Sequence, residues 1–219
     1  MQKFKVIVMV LSADIHGYDV LIRSIRDTWA KFKPTNYEVL YYYGYRTGYP
    51  QPEKDSAIIH QDCIICGLQE SIPNINLKNF LAFKCLYDNF DFDYVFRCCA
   101  GSYVHLDNIE RYVTITKLPT TQLYCGVIGT VGCVQFASGS GFFMSRDVVK
   151  LLVDNPSGFF YHPSDDVAIG QFLTSNGVKI RPGERQDLFD ITTINRDHYH
   201  YHFRHNTTMM YAVHAAFGR

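Results

Sequence analysis

The sequence predicts an α/β domain in which helices flank a mixed, mostly parallel sheet. Strand patterns alternate with helix patterns along the 219 residues, with no repeat, low-complexity tract or charged linker between them. The first strand pattern, "FKVIVMVLS", is apolar almost throughout, which is typical of a central strand that is buried on both faces. An apolar content of 47% supports one substantial core. We therefore expect a single domain over residues 1–219.

The first half of the chain supplies a strand, a helix and a second strand. Residues 20–32 place apolar side chains at helical spacing, and a Lys-Pro pair then ends the pattern; they are Leu21, Ile25, Trp29 and Phe32. The stretch "YEVLYYYGY" follows as a strand, since tyrosine favours pleated surfaces. Trp29 lies on an apolar face, so we expect it in the core.

Later elements continue the alternation. The stretch "LKNFLAFKCLYDNF" predicts a buried helix before the strand "DYVFRCC". A further helix begins near Asp107, and two strands follow at "QLYCGVI" and "GFFMS". Ser145 is a suitable N-cap for the helix "RDVVKLLVDN", which should stop before Pro156.

Charge and cysteine usage narrow the class of protein. Lys plus Arg and Asp plus Glu both number 21, so neither a nucleic acid nor an acidic membrane is an expected partner. The N-terminal apolar run "VIVMVL" is too short to span a membrane, and we expect a soluble protein. The seven cysteines are an odd number in mostly apolar contexts, which indicates reduced thiols in a cytoplasm-like compartment.

The functional crevice should lie beyond the carboxyl ends of the strands, as in other open α/β sheets. The loops "LSADIHG", "YGYRTGY" and "RCCAGSY" follow predicted strands and would line that crevice. The chain contains neither GxxxxGK nor GxGxxG, which argues against P-loop kinases and dinucleotide-dependent dehydrogenases.

Three segments, in order, resemble the β1,3-glycosyltransferase and fringe superfamily, whose members have the GT-A fold. They are the helix "IRSIRDTWA", the glycine-rich sugar-site segment "FASGSGFFMSRDVV" and the acidic motif "HPSDDVAIG". The resemblance spans most of the chain and implies a GT-A-like domain that transfers a sugar, a hexosyl or pentosyl group, from a nucleotide-diphosphate donor to a glycan hydroxyl with inversion. It further implies a nucleotide-binding half at 1–105 and an acceptor and sugar half at 106–219.

The resemblance also assigns site residues. Asp166 matches the acid that acts as base in an inverting transfer, and Asp165 is its neighbour and orienter. The sugar and acceptor pocket would be shaped by four residues of the glycine-rich turn, which are Ser138, Gly139, Ser140 and Gly141. The nucleotide, expected to be uridine-based, would contact Ser12, Ala13 and Tyr43, with Arg23 or Arg26 nearby.

The two acids also have a purely structural interpretation. Ser164 could cap a helix that begins near Asp165, and both carboxylates would then favour its positive end by about 0.3–1 kcal/mol each. In the catalytic interpretation, repulsion between adjacent carboxylates would raise the pKa of one of them toward a range that suits a base. The family resemblance favours the catalytic interpretation.

The metal of the family lacks its usual ligands here. A DxD or DDD motif should follow the strand "DYVF", but the chain continues "RCCAGSYVHLD". Mn²⁺ or Mg²⁺ therefore remains an open cofactor, and transfer without a metal is an equal alternative. Positive charge for the leaving diphosphate would then come from "DHYHYHFRHN", with His202, Arg204 and His205 as candidates. Arg97 is a further candidate, or else a packing residue.

Two other functions stay open from the sequence. A nucleotide-sugar or glycan-binding domain with weak catalysis would keep the crevice and lose the metal motif. A zinc-binding structural module would use Cys63, Cys66 and the C-terminal histidines. Similar short glycosyltransferases occur in bacteria and large DNA viruses, so we expect the cytoplasm of a bacterial cell or of a virus-infected host cell.

Overall fold

A mixed eight-stranded sheet forms the centre of the structure, a computed structural model that describes residues 3–158, 164–204 and 206–219. The strands in these ranges are β1 (Lys3–Leu11), β2 (Tyr37–Tyr43), β3 (Ala57–His60), β4 (Cys63–Cys66), β5 (Asp91–Cys99), β6 (Ser102–Val104), β7 (Tyr124–Val131), β8 (Val134–Ser145), β9 (Ile180–Pro182), β10 (Gln186–Asp187) and β11 (His200–His202). The order across the large sheet is β3-β4-β2-β1-β5-β8-β7-β9.

Helices cover both faces of this sheet. They are α1 (Tyr18–Asp27), α2 (Ile75–Asn89), α3 (Leu106–Ile115), α4 (Arg146–Asp154), α5 (Asp165–Ser175) and α6 (Thr207–Ala216). Short 3-10 helices occupy Trp29–Phe32 and Ile191–Thr193. None of the helices in the described ranges is both long and apolar enough to cross a membrane.

The apolar pattern of β1 follows from its central position. The strand pairs in parallel with β2 on one side and with β5 on the other. Val6 and Val8 point into one apolar core, whereas Ile7 and Met9 point into a second core on the opposite face. Side chains alternate across a strand, so a strand between two cores is apolar at every position. The predicted α/β class, with a mostly parallel central sheet in one domain, is confirmed.

The predicted elements are present, with one correction and several additions. The first helix ends at Asp27, because Thr28 leaves the helical conformation (φ −112°, ψ −111°), so the prediction of a continuous helix to residue 32 is wrong. Trp29 is 1% exposed and lies in the core as predicted. Sequence patterns missed the C-terminal helix α6 and the strand "CIIC" of β4, whose two cysteines are buried strand residues.

A smaller sheet continues from the carboxyl end of β5. Its strand order is β10-β11-β6, with β11 parallel to β10 and antiparallel to β6. The backbone of Arg204 packs so closely on Gly101 that a Cβ at this glycine would collide with the Arg204 carbonyl. This contact fixes the segment after β11 against the end of the central sheet.

Candidate functional site

The site begins where three parallel strands end together. Leu11 at the end of β1 is in register with Cys99 on β5 and with Tyr42 on β2. The three-stranded sheet starts at Ser102, three positions after Cys99, and brings His202 of β11 opposite Ser102. The central sheet therefore supplies one wall of the crevice and the small sheet supplies the other.

Asp165 belongs to a buried polar network below this crevice. It forms an ion pair with Arg97, whose side chain is 1% exposed. Asn79 also donates to the Asp165 carboxylate at 3.0 Å and accepts from the Tyr42 hydroxyl at 2.7 Å. Arg97 uses its remaining groups on Tyr42, at 2.9 Å, and on the Gly139 carbonyl. Every member has a hydrogen-bond partner within the network, so the network holds the start of α5 and the glycine-rich segment, residues 138–141, together.

Asp166 is half-buried and has its own set of hydrogen-bond donors. Its Oδ2 accepts from the Gly139 backbone N–H at 2.8 Å, and its Oδ1 accepts from Ser164 at 2.5 Å and from the Val167 N–H at 2.9 Å. These three donors fix the orientation of the carboxylate. A carboxylate offers about four acceptor positions, so one remains on Oδ2 for a substrate hydroxyl.

The structural interpretation of the two acids holds in part. α5 begins at Asp165 with Ser164 in the N-cap position, and both acids lie in its first turn. The Ser164 side chain bonds the Asp166 carboxylate and makes no capping bond to the helix backbone. His162 and Pro163 of the same motif lie outside the described residues.

The prediction of a turn at residues 138–141 is wrong, because this glycine-rich segment lies inside strand β8, where the pairing with β7 is irregular. The segment packs against both acids and against the small sheet. A Cβ at Gly139 would lie 2.9 Å from the Arg97 guanidinium and 3.1 Å from the Asp166 carboxylate. At Gly141 it would lie 2.5 Å from the His200 ring. The four predicted residues of this segment therefore lie together beside Asp166, and the glycines permit that close approach.

A cavity of about 500 Å³ opens next to this glycine-rich segment. Ser138 forms part of its wall, as do three cationic side chains, Arg185, His202 and Arg204, and one acid, Asp187. The predicted pair His202 and Arg204 thus face one space, whereas His205 lies outside the described residues. An excess of positive groups around a cavity suits an anionic ligand.

Arg185 is a site residue that the sequence analysis missed. Its guanidinium donates to the hydroxyls of Ser138 at 2.9 Å and Ser140 at 2.6 Å, and to Asp187 at 2.8 Å. Its Nε is buried and has no hydrogen-bond partner among the described residues. The preceding Pro-Gly pair and the two-residue strand β10 are too short to give a periodic signal. Only the fold brings Arg185 to the glycine-rich segment.

Cys99 is a second missed residue and lies beside His202. Burial would raise the pKa of the Cys99 thiol, but a hydrogen bond with His202 and the charge of that ring outweigh burial and lower the pKa. The same hydrogen bond raises the pKa of His202, with further support from Asp187, whose carboxylate lies 3.2 Å from Nδ1. The two groups favour each other's charged form.

The residues at the end of β5 do not fit the metal of the resembling family. Mn²⁺ and Mg²⁺ prefer oxygen ligands, and the segment "RCCAG" after Phe96 contains no carboxylate. A side chain at Gly101 would collide with Arg204, so the backbone leaves no space for an acid there. Throughout the described ranges, no three His, Cys, Asp or Glu side chains are arranged to hold a metal ion. Transfer without a metal stays a prediction.

The predicted nucleotide contacts divide into two groups. Ser12 and Ala13 line a second cavity, of about 210 Å³, at the end of β1, together with the exposed side chains of Ile15 and Ile72. Lys78 donates to the Ser12 carbonyl at 2.9 Å at the same place. Tyr43, by contrast, is 2% exposed and lies in the core, outside the lining of this cavity.

Of the two arginines expected near the nucleotide, Arg26 has its guanidinium in an ion pair. Arg26 forms a two-bond pair with Asp62, at 2.7 and 2.9 Å, and packs on the Tyr41 ring. These contacts do not direct its guanidinium to the cavity at the end of β1. The guanidinium of Arg97 likewise forms its hydrogen bonds within the buried network. Its predicted contact with the nucleotide-sugar donor therefore stays a prediction.

The cysteines proposed for a zinc module lie far along the sheet from the histidines. Cys63 and Cys66 are on β4, near one edge of the large sheet, whereas His200 and His202 are on β11 of the small sheet. The Cys63 thiol contacts Arg46 and Asp62, and the Cys66 thiol donates to a helix carbonyl. The fold does not bring this proposed ligand set together.

Comparison with known proteins gives one distant similarity. UDP-GalNAc:beta-1,3-N-acetylgalactosaminyltransferase 2 of Danio rerio is 22% identical to this chain over 143 residues. That region covers 58% of this chain and 29% of the relative, so the chain spans less than a third of the relative's length. No family model matches the chain. The similarity supports a distant relationship to a glycosyltransferase.

Proposed function

We propose that this protein is an inverting glycosyltransferase that moves a hexosyl or pentosyl group from a UDP-linked sugar to a hydroxyl of a glycan. The observation that carries the proposal is a cation-lined cavity directly beside a fixed, half-buried carboxylate. Arg185, His202 and Arg204 line that cavity, and Asp166 is held by a hydrogen bond from the neighbouring glycine-rich segment. The distant similarity to a UDP-GalNAc-dependent transferase supports the same activity class.

The donor would extend from the end of β1 to the glycine-rich segment of β8. Its nucleoside would occupy the smaller cavity, where Ile15 and Ile72 offer apolar contact and the Ser12 region offers backbone groups. Its diphosphate would lie against Arg185 and His202, and its sugar over Gly139. Residues 1–105 would hold the nucleoside, and residues 106–219 the diphosphate, sugar and acceptor.

The reaction would be a single displacement. Asp166 removes the proton from the acceptor hydroxyl, and the acceptor oxygen attacks the anomeric carbon of the sugar. The bond from that carbon to the diphosphate oxygen breaks, and the diphosphate leaves with the electron pair. Arg185, His202 and Arg204 stabilise its growing charge. One displacement from the face opposite the leaving group inverts the anomeric centre.

The metal and the compartment are part of the same proposal. The protein cations would take the place of a divalent metal ion, because the end of β5 offers no carboxylate ligands for Mn²⁺ or Mg²⁺. The seven thiols, all of them free, are typical of a reducing compartment such as the cytoplasm.

Asp166→Asn tests the catalytic part, and the chain contains a matched control. Asp147 lies in the first turn of α4 and accepts from Ser145 at 2.5 Å, just as Asp166 accepts from Ser164. Either substitution removes one negative charge from a helix start, an effect of about 0.3–1 kcal/mol, and keeps an oxygen that can accept a hydrogen bond. We expect Asp166→Asn to lower donor turnover by at least about 100-fold and Asp147→Asn to leave it unchanged.

The assay is release of UDP from UDP-GalNAc, UDP-GlcNAc, UDP-galactose and UDP-glucose, with and without added Mn²⁺. A thermal-shift series with the same donors measures binding separately, since a ligand that binds the folded state raises the melting temperature. Full turnover in Asp166→Asn would contradict its role as base. No donor-dependent shift under any condition would contradict the donor site.

A catalytically weak nucleotide-sugar or glycan-binding domain is the second candidate. The absence of acidic residues after β5 is the observation that favours it. Such a domain would bind a donor and raise the melting temperature but would release no UDP, so the two assays together separate it from a transferase.

A further inference from the structure

Cys99 occupies the place at the end of β5 where the resembling enzymes carry acids. The residue is half-buried, and its Sγ lies 3.4 Å from the Ser102 hydroxyl. Strand pairing puts His202 directly opposite Ser102, and the charge of the imidazole acts on the thiol to lower its pKa. His202 lines the cation-lined cavity, so the thiol lies next to a residue of the cavity wall.

The imidazole is itself oriented by an acid. Asp187 lies 3.2 Å from Nδ1 of His202, and Arg185 donates to the same Asp187 carboxylate. A thiol next to an imidazole that a carboxylate orients is the arrangement found at activated cysteine nucleophiles. The three groups thus follow one another in space in the order Cys99, His202 and Asp187.

The other described cysteines lack this arrangement. Burial raises the pKa of the thiols of Cys63 and Cys66, the latter most strongly. Burial likewise raises the pKa of Cys85 to about 11. Cys133 is exposed and provides an accessible reference thiol in the same chain.

Other charged or titratable groups face Cys99 from the elements around it. Tyr18 of α1 interacts with it across the end of β1, and burial, with a smaller contribution from Cys99, raises the pKa of that tyrosine. Arg97 lies two positions earlier on β5 and is paired with Asp165. The thiol of Cys98 is fully buried, and burial raises its pKa. Among these groups, His202 is the one whose charge lowers the pKa of Cys99.

We propose that Cys99, together with His202 and Asp187 of the cavity wall, forms a reactive thiolate site that takes soft electrophiles and peroxides. With an alkyl iodide, the sulfur forms a bond to carbon as the carbon–iodine bond breaks and iodide leaves. With hydrogen peroxide, a sulfur–oxygen bond forms as the oxygen–oxygen bond breaks; the sulfur is oxidised to a sulfenic acid and the peroxide is reduced to water. The site shares His202 with the proposed diphosphate contact, but its reactions need no sugar donor.

Peptide-level mass spectrometry after brief exposure of the native protein to iodoacetamide tests the proposal. An ordinary thiol is less than about 1% ionised at pH 6. We expect Cys99 to be alkylated at least about fivefold faster than Cys133 at pH 6, although Cys133 is more exposed. His202→Asn should reverse that order by slowing Cys99 about tenfold, and Asp187→Asn should slow it less.

His198→Asn is the matched control, because His198 lies in the same segment and also faces an acid, Glu184, at 3.7 Å. It should leave both alkylation rates unchanged. Faster alkylation of Cys133 than of Cys99 in the native protein at pH 6 would overturn the proposal. An unchanged Cys99 rate in folded His202→Asn and Asp187→Asn would overturn it as well.

A second experiment adds UDP and rests on the proposed function. If the diphosphate lies against His202, saturating UDP should slow alkylation of Cys99 at least about fivefold and leave Cys133 unaffected. A reactive Cys99 that UDP does not protect would confirm the thiolate site and contradict the placement of the donor. The two failures are therefore distinguishable.

Discussion

Two neighbouring regions of this protein use the same residue types in opposite ways. In the buried network, Arg97 and Asp165 pair with each other, and Tyr42 and Asn79 complete their hydrogen bonds. In the cavity lined by Ser138 of β8 and Asp187 of β10, the cations outnumber the acids, and Arg185 keeps a buried Nε without a partner in the described chain.

The difference shows what separates a structural charge from one that can serve a ligand. A buried ion pair that is fully hydrogen-bonded has no capacity left for a third group, so its role is to hold the backbone in place. A cation at a cavity wall retains both positive charge and open donors. Asp165 and Asp166 differ in the same way although they are adjacent in sequence.

Breaking the buried network should have the largest effect on stability. Arg97→Met leaves the Asp165 carboxylate buried and without its cation, which should lower the free energy of unfolding by about 3–5 kcal/mol. Urea denaturation measures this loss. Arg97→Met combined with Asp165→Leu should recover part of it, because the double variant leaves no unpaired charge.

Arg111→Met is the control for that experiment, since Arg111 pairs with Asp197 at 2.9 Å on the surface. An exposed pair contributes about 0–1 kcal/mol, so this variant should lose little stability. Equal losses in Arg97→Met and Arg111→Met would mean that burial gives the network no special role.

A buried group without a strong ionic partner should respond to pH instead. His105 caps α3 by accepting from the Asn108 N–H at 3.2 Å and packs on Phe217. Burial and the nearby charge of Arg219 lower the pKa of His105 to about 4. The unfolded chain, with a histidine pKa of about 6.5, binds this proton at higher pH than the folded chain does. Folding stability should therefore fall as the pH drops from about 6.5 to 4.

His105→Asn isolates this contribution, because asparagine also caps helices well. We expect the wild type to lose on the order of 2–3 kcal/mol more than the variant between pH 7 and pH 4, at about 1.4 kcal/mol per unit of pKa difference. Urea denaturation at several pH values measures both curves. Parallel curves would show that His105 titrates alike in the folded and unfolded chains.

Changing the open cavity should have the smallest energetic effect and a different readout. Arg185→Gln removes a cation from the cavity wall, and we expect it to raise the Kd for UDP about tenfold, or about 1.4 kcal/mol. The exposed Arg181, on the edge strand β9, provides a control in Arg181→Gln. Isothermal titration calorimetry measures both. A similar weakening in the two variants would mean that only net charge matters.

The sequence by itself determined the elements and the layers of this fold. The apolar run of β1 requires two buried faces, and the 3.6-residue spacing in α1 requires one, so the α/β class follows from local pattern. The helix start at Ser164 was also readable, since capping residues act over a few positions. The glycine-rich segment at residues 138–141 was not, because the predicted turn there lies inside strand β8.

The tertiary structure alone decided what each charged side chain does. Arg97 and Asp165 meet across 68 residues of chain, and Arg185 reaches Ser138 and Ser140 across more than 40. Cys99 meets His202 only because β11 returns antiparallel to β6. These contacts arise from the pairing of distant strands, and periodicity reports only how a segment buries its own face. Whether a charge is paired within the protein or left open to a ligand depends on those distant partners.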